Sequence, residues 1–345
     1  MRLSADDHRR TTAVAALATL LACSCPVYAS LTEAPRLAAI YDAILAARFD
    51  RVDAQLKQAC PPAPAEACAA LGAVSIWWQI LLEPENRRLD ARMNEQAAAA
   101  AAASAAWTMR EPQRAEAWFY LAGSYAPLVQ WRVLRGERLA AAREGKKIKD
   151  ALERALELDP GLDDAHFGIG AYHYYAAVAP TAAKILRWLL FLPGGDHVKG
   201  LQEMLQGRER GVLLRGEADY QLHLIHLWYE QKPARALEFL QGLDARYPTN
   251  PLFQQRIAEV QDAYFHDRRA SAAAWQTVID RARAGRVYNP PRAEARAHLG
   301  YAWLLERAGD RARAIESYRN ALQVAGNDSR TRDDARAALN RLGAP

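Results

Sequence analysis

The chain has 345 residues, of which 51% are hydrophobic and 25% are charged, with 45 Lys and Arg against 40 Asp and Glu. Such a chain can bury a core, which excludes disorder of the whole protein. The net charge of +5 is small for this length and does not indicate a dedicated nucleic-acid-binding protein. Abundant Ala and scarce Val, Ile and Thr favour helix over a large sheet.

Residues 1–29 predict a secretory signal peptide. Arg9 and Arg10 end a polar segment, and an apolar run over residues 11–22 follows. This run is too short to span a bilayer as a helix of the mature protein. We therefore expect export to the periplasm of a bacterium.

Two cleavage sites compete within this signal. Residues 27–29 end in Ala29 and fit an ordinary signal peptidase site, whereas residues 20–23 resemble a lipobox in which Cys23 would be lipidated. Cleavage after Ala29 leaves an even pair of cysteines, but cleavage before Cys23 leaves Cys25 as an odd thiol in an oxidising compartment. The sequence thus favours a soluble periplasmic protein, with an outer-membrane lipoprotein as the alternative.

The pair formed by Cys60 and Cys68 flanks a proline-rich turn over residues 61–64. Because the prolines force a turn between two helical patterns, a disulfide here would hold the two helices at a fixed angle. It would stabilise the fold by about 2–3 kcal/mol. Free thiols are less expected after export, and a metal pair is less expected because no His lies nearby.

The clearest repeat lies in the C-terminal segment. Small residues that would allow close helix crossing alternate there with large residues that would fill the space between helices: Gly300, Ala314 and Ala321 against Leu299, Trp303 and Tyr318. This pattern resembles a tetratricopeptide repeat (TPR), a helix–turn–helix unit of about 34 residues. The separation of Leu299 and Gly309 predicts a first helix that is about half a turn longer than in the TPR consensus.

Weaker units begin near residues 117, 164, 220 and 250, and residues 330–341 predict a capping helix. An insertion containing Gly136 and Gly145 predicts that both helices of the unit from residue 117 are lengthened. The N-terminal part is less regular, with helical patterns over 37–45, 52–59 and 71–82 and an alanine run over 97–103. We predict degenerate hairpins over 30–112 and TPR-like repeats over 113–341.

Four segments, residues 77–80, 167–175, 192–196 and 247–251, extend the resemblance to exported bacterial TPR proteins of unassigned function. This resemblance implies an all-α, TPR-like right-handed α-solenoid, which we expect to contain roughly five to six helical hairpins. It implies a protein or peptide partner bound in a groove lined by first helices, and it implies no reaction. Long insertions could fill that groove.

Histidines are weak candidates for a metal site. His223 and His226 are three residues apart on one predicted helix, and His166 or His173 might supply a third ligand. Ordinary packing and surface histidines explain them better, because no metal-binding motif such as HExxH or CxxC occurs. We predict no metal and no cofactor.

Two further features have structural interpretations. Asp196 after Pro193, Gly194 and Gly195 is predicted to cap a helix that starts near His197, rather than to form an anion site. The apolar stretches 188–192 and 172–175 are predicted to be core rather than a membrane-binding patch. Four tryptophans near repeat positions are predicted to pack between helices: Trp118, Trp228, Trp275 and Trp303.

The sequence offers little for catalysis, since it has no GxSxG motif and the repeats use nearly the whole chain. The predicted function is a non-enzymatic adaptor that binds a protein or peptide partner in the cell envelope, without nucleic acid. A small-molecule or metal carrier, a lipid-anchored assembly factor and a hydrolase with an unrecognised site are the alternatives. The predicted groove residues are Tyr120, Tyr125, His173, His223 and Tyr264.

Overall fold

The computed structural model describes residues 31–178 and 194–344, which form fifteen α-helices and contain no strand. The helices are α1 (Ala34–Leu45), α2 (Phe49–Ala59), α3 (Ala65–Leu82), α4 (Asp90–Arg110), α5 (Ala115–Leu134), α6 (Arg138–Leu158), α7 (Asp163–Val178), α8 (His197–Arg210), α9 (Arg215–Trp228), α10 (Pro233–Arg246), α11 (Pro251–Ala263), α12 (Arg268–Arg283), α13 (Pro290–Arg307), α14 (Arg311–Val324) and α15 (Ser329–Arg341). The predicted signal peptide and the apolar stretch 188–192 lie outside the described residues.

Each helix packs against its neighbours along the chain, as expected for a TPR-like α-solenoid. The all-α prediction is confirmed. Over the described ranges, however, the fifteen helices make seven consecutive pairs and a single last helix, which is more than the expected five to six hairpins. The difference arises because the irregular N-terminal and central segments also form complete pairs.

Helix starts follow local chemistry. The Asp196 carboxylate accepts the backbone N–H groups of Val198 at 2.9 Å and Lys199 at 3.1 Å, so the predicted cap of α8 is confirmed. Asn250 caps α11 in the same way, and proline follows it at the first helical position, where its missing N–H is harmless.

The predicted lengthening of the unit from residue 117 is also confirmed, since α5 has 20 residues and α6 has 21. Gly136 provides the turn between them with a φ of 80°, a conformation that glycine adopts without strain. The alanine run lies in α4 and lets α5 approach closely. There the hydroxyls of Ser104 and Ser124 lie 3.1 Å apart.

Helix α3 is long and apolar enough to cross a membrane by length and composition alone. Most of its residues are buried inside the protein, where it packs against α1, α2, α4 and α5. Core helices of soluble proteins have the same composition. The Cys60 and Cys68 sulfurs at its N-terminal end lie at bonding distance, with 6.4 Å between the Cα atoms.

The N-terminal helices pack against later repeats, which an open solenoid would not allow. In α3, the Trp78 ring is fully buried and lies 4.9 Å from the Tyr220 ring of α9 and 6.2 Å from the Phe253 ring of α11. The Asn250 side chain donates to the Leu45 carbonyl at 2.8 Å, and Arg296 of α13 donates to the Leu82 carbonyl at 2.9 Å.

The helices α9, α11 and α13 are the first helices of their pairs, and their faces are where a TPR groove would lie. Helices α1 and α3 occupy much of these faces. The sequence predicts that long insertions could fill the groove, whereas among the described residues the N-terminal helices cover part of it and leave the rest open. Two hollows flank α3, one on each side of this contact.

Candidate functional site

The first hollow, which we name the apolar cavity, lies between α3, α5, α6, α7 and α9 and has a volume of about 650 Å³. Most of its lining is aliphatic, aromatic or glycine. The charged and amide side chains in its wall are Gln130, Arg138, Asp164, Glu217 and Gln221.

Glu217 is a buried carboxyl group in the wall of the apolar cavity. It accepts hydrogen bonds from the Tyr41 hydroxyl and the Trp78 ring N–H, both at 3.2 Å, and from the Gln221 amide at 2.9 Å. Burial raises the pKa of Glu217, and these three donors oppose the rise because they stabilise the charged form. The carboxyl group thus joins α1, α3 and α9.

Asp164 has a comparable role at the start of α7. Its carboxylate accepts the backbone N–H groups of Val212 and Leu213 at 3.0 Å and of Leu214 at 2.8 Å. Burial raises the pKa of Asp164, and the three N–H groups lower it in part. Both carboxyl groups in the cavity wall are therefore held by donors from the protein itself.

The second hollow, which we name the C-terminal groove, has a volume of about 1060 Å³. It is lined by α11, α13, the start of α15 and the end of α3. Four arginines in its wall form ion pairs with neighbouring acids: Arg256 with Glu259, Arg307 with Asp262, Arg330 with Asp334, and Arg296 with Glu85.

Trp303 of α13 lies in the C-terminal groove with 41% of its surface exposed. Beneath it, Gly300 lets the Trp275 ring approach so closely that an added Cβ would lie 2.5 Å from it. The interpretation of Trp303 as inter-helix packing is therefore wrong. It is also wrong for Trp228, which is 58% exposed at the end of α9, whereas Trp275 is buried as predicted.

The histidines do not assemble into a metal site. His223 is buried beside the Tyr220 ring at 4.9 Å, and neither of its ring nitrogens has a hydrogen-bond partner. His226 stacks on Phe239 at 5.6 Å, and His173 contacts the Glu203 carboxylate at 2.6 Å. The described part of the chain has no group of three His, Cys, Asp or Glu side chains that could hold a metal ion.

The structure does not bring the five predicted groove residues together. Tyr120 is buried in the wall of the apolar cavity, and His223 is in the core. The Lys147 ammonium lies 4.9 Å from the centre of the Tyr125 ring, and His173 pairs with Glu203. Tyr264 is exposed just after α11. Their role in partner binding stays a prediction, but no single surface contains them.

The sequence analysis did not predict that residues of α13 line a groove, although their spacing is typical of one face of a helix. Along α13, Arg296, Leu299, Trp303 and Arg307 line the C-terminal groove at intervals of three or four residues, and Gly300, next to Leu299, lines it as well. This spacing places them on one face of the helix. The face could have been found from the sequence, whereas its exposure could not, because packing against α3 and α15 decides it.

No protein-family model matches the chain, and no curated protein sequence matches it significantly. Among solved structures, YrrB, a TPR protein with an unusual peptide-binding site, is 15% identical over 70% of this chain and 99% of that one, with a TM-score of 0.43. A TPR repeat-containing protein from Cytophaga hutchinsonii is 13% identical over 70% and 95% of the two chains, with a TM-score of 0.40.

The APC/C hetero-tetramer Cut9–Hcn1 is 14% identical over 88% of this chain and 49% of that one, with a TM-score of 0.48. The helix pairs and close crossings of the chain itself give the architecture. It is TPR-like.

Proposed function

We propose that this protein is a non-enzymatic binding scaffold of the bacterial cell envelope, and that its C-terminal groove binds an extended segment of a partner protein. The observation that carries this proposal is the exposed Trp303 ring within a charged groove. Tryptophan and arginine are the residues that most often dominate binding energy at protein interfaces.

The chemistry of the groove defines the partner segment. An apolar centre at Trp303 and Leu299 is bordered by ion pairs of both signs, which matches the usual anatomy of an interface with an apolar core and a polar rim. Arg268 also lines the groove, is exposed and forms no ion pair with any residue in the described ranges. We therefore infer a segment with a large apolar side chain near an acidic residue.

The carboxyl groups of the apolar cavity support a binding function over catalysis. A catalytic pair needs free carboxyl groups facing a substrate, but Glu217 and Asp164 each accept three hydrogen bonds from protein donors. A ligand carrier is the second candidate function, and the size and apolar lining of this cavity favour it.

The envelope location rests on the signal-like residues 1–29. The mass of the mature N-terminal peptide from native cells tests it. A peptide beginning at Ser30 supports a soluble periplasmic protein, and an acylated Cys23 supports the lipoprotein alternative. A retained Met1 in the folded protein would exclude both.

Partner binding is tested with a photocrosslinking amino acid placed at position 303 or at position 228 in cells. Trp228 is the matched control because it is an equally large exposed ring that does not line the C-terminal groove. We expect one partner to crosslink at position 303 and not at position 228.

The crosslinked segment of that partner is then titrated as a peptide onto the purified protein. We expect Trp303→Ala to weaken its binding by about tenfold or more, and Arg268→Glu to weaken it less. Trp228→Ala should have no effect. Equal crosslinking at both positions, or equal affinity of Trp303→Ala and the wild type, would refute the groove as the site.

A further inference from the structure

We propose that the apolar cavity binds a single-chain amphiphile, with the acyl chain inside the cavity and an anionic head group at Arg138. This site is separate from the C-terminal groove. The proposal rests on the space inside the cavity, on two glycines and on the polar groups of the wall.

The space is suitable for a small ligand. The volume of about 650 Å³ falls within the range of about 300–1,000 Å³ that is usual for ligand pockets. Side chains from six helices line it, Tyr41 of α1 among them, and most of them are apolar.

Two glycines keep this space open. Gly123 of α5 and Gly145 of α6 both line the apolar cavity, and a Cβ added to either would meet no atom of residues 31–178 or 194–344 within 4 Å. Glycine is less favourable than alanine inside a helix, so its presence normally reflects a close approach of other atoms. Among the described residues, no atom makes such an approach at Gly123 or Gly145.

Several helical glycines elsewhere in the protein do have that packing reason, although Gly242 on the exposed surface of α10 does not. A Cβ on Gly200 would lie 2.5 Å from the Tyr174 backbone nitrogen, and one on Gly168 would lie 2.7 Å from a Leu152 methyl group. The glycines of α5 and α6 therefore preserve volume rather than helix contact. A ligand is the component that would use this volume.

The wall also contains an unsatisfied polar group. The Tyr120 side chain is only 2% exposed, and its hydroxyl has no hydrogen-bond partner in the part of the chain that the structure describes. Buried hydroxyls are rarely left unpaired, since an unmade hydrogen bond is unfavourable. Pro127, which also lines the cavity, cannot donate the helical hydrogen bond to the Gly123 carbonyl.

The charges of the wall orient the ligand. Glu217 and Asp164 disfavour a carboxylate or phosphate deep in the apolar cavity. Arg138 is exposed at the start of α6, lines the cavity and forms no ion pair with any residue in the described ranges. A ligand with its apolar chain inside the cavity keeps its anionic head group away from Glu217 and Asp164 and places it at Arg138.

The first test titrates the delipidated mature protein with cis-parinaric acid, a fluorescent fatty acid, and measures saturable binding. The double variant Gly123→Leu/Gly145→Leu fills the cavity without a backbone clash. It should bind at least about tenfold more weakly while its melting temperature stays at or above that of the wild type. The matched control is Gly242→Leu in α10, where a Cβ also meets no atom within 4 Å outside the cavity. Its affinity should equal that of the wild type.

The second test locates the head group. Arg138→Glu should weaken binding of cis-parinaric acid by about fivefold and leave binding of its neutral methyl ester unchanged. Arg143→Glu is the matched control, because Arg143 is exposed on the same helix but does not line the cavity. It makes the same change in net charge.

Three results would overturn the proposal. One is the absence of saturable binding by the wild-type protein. Another is wild-type affinity in the folded double glycine variant. The third is an equal effect of Arg138→Glu and Arg143→Glu, which would show that the head group does not lie at Arg138.

Discussion

The apolar cavity and the C-terminal groove lie on either side of the same helix and differ in almost every respect. Ala70, Leu71 and Val74 of α3 line the cavity, and Leu81 near the other end of α3 lines the groove. The cavity wall is mostly apolar and includes two glycines with open space beside them among the described residues, whereas the groove wall places four arginines paired with acids around an exposed tryptophan.

This difference follows from what the N-terminal helices cover. A TPR array offers one continuous face of first helices, but α1 and α3 pack onto α9, α11 and α13 and divide it. On one side the long helices α5 and α6 enclose an apolar space. On the other side α13 and α15 leave a charged surface. One array thereby acquires two surfaces suited to different partners.

The largest expected effect comes from Trp78→Ala, which removes the ring that α3 places between α9 and α11. The variant loses the contacts with Tyr220 and Phe253 and the hydrogen bond to Glu217. We expect the free energy of unfolding to fall by about 3–5 kcal/mol, as for other buried aromatic truncations. Urea denaturation of the mature protein measures it.

The exposed Trp228 provides the control for that experiment. Trp228→Ala should change the free energy of unfolding by less than about 0.5 kcal/mol. Similar losses in the two variants would mean that α3 is not held between the later repeats as described.

A smaller effect is expected from removing the link between α2 and α3. Cys60→Ser/Cys68→Ser should lower the free energy of unfolding by about 2–3 kcal/mol, because the unfolded chain regains the freedom of a short loop. Denaturation of the wild type with and without a reducing agent should show the same difference. An unchanged wild-type midpoint under reducing conditions would contradict the disulfide.

The third prediction concerns pH. Burial lowers the pKa of His223 from 6.5 to about 3, with a further contribution from the positive charge of Arg256. Below pH 6.5 the unfolded chain therefore binds a proton at His223, whereas the buried imidazole of the folded protein stays neutral until the pH approaches 3. Stability should decline by up to about 1.4 kcal/mol per pH unit as the pH falls from 6.5 towards 3.

Glu217 acts in the opposite direction, since burial raises its pKa and its protonation favours the folded state as the pH falls. The contribution of His223 is isolated by comparing pH–stability profiles of the wild type and His223→Phe. The profile of the variant should be flatter between pH 3 and 6.5.

The smallest effect distinguishes the two kinds of helical glycine. Gly145→Ala should raise the free energy of unfolding by about 0.5–1 kcal/mol, because alanine favours helix and its Cβ meets open space. Gly200→Ala should lower it, because its Cβ would meet the backbone of α7. Thermal melting measures whether each variant is more or less stable than the wild type. A loss of stability in Gly145→Ala would argue against the open space at that position.

Local features of the fold could be predicted from the sequence, and distant contacts could not. The Asp196 cap and the long pair α5 and α6 depend on neighbouring residues, so their patterns were sufficient. The contact between Trp78 and Glu217 joins residues 139 positions apart, and no periodicity encodes it. The apolar cavity was missed for the same reason, because its wall combines six helices that each have an ordinary composition.

The packing of α1 and α3 onto later repeats also affects how the chain folds. Most repeat proteins contact only their sequence neighbours and can fold unit by unit from any point. Here Asn289 donates to the Glu83 carboxylate across 206 residues, and Tyr247 donates to Asp42 across 205. These contacts join residues far apart in the sequence, and such contacts slow folding. The core around α1 and α3 is therefore complete only after α9 to α13 have been synthesised and have folded. We expect the protein to unfold as one cooperative unit rather than from its ends.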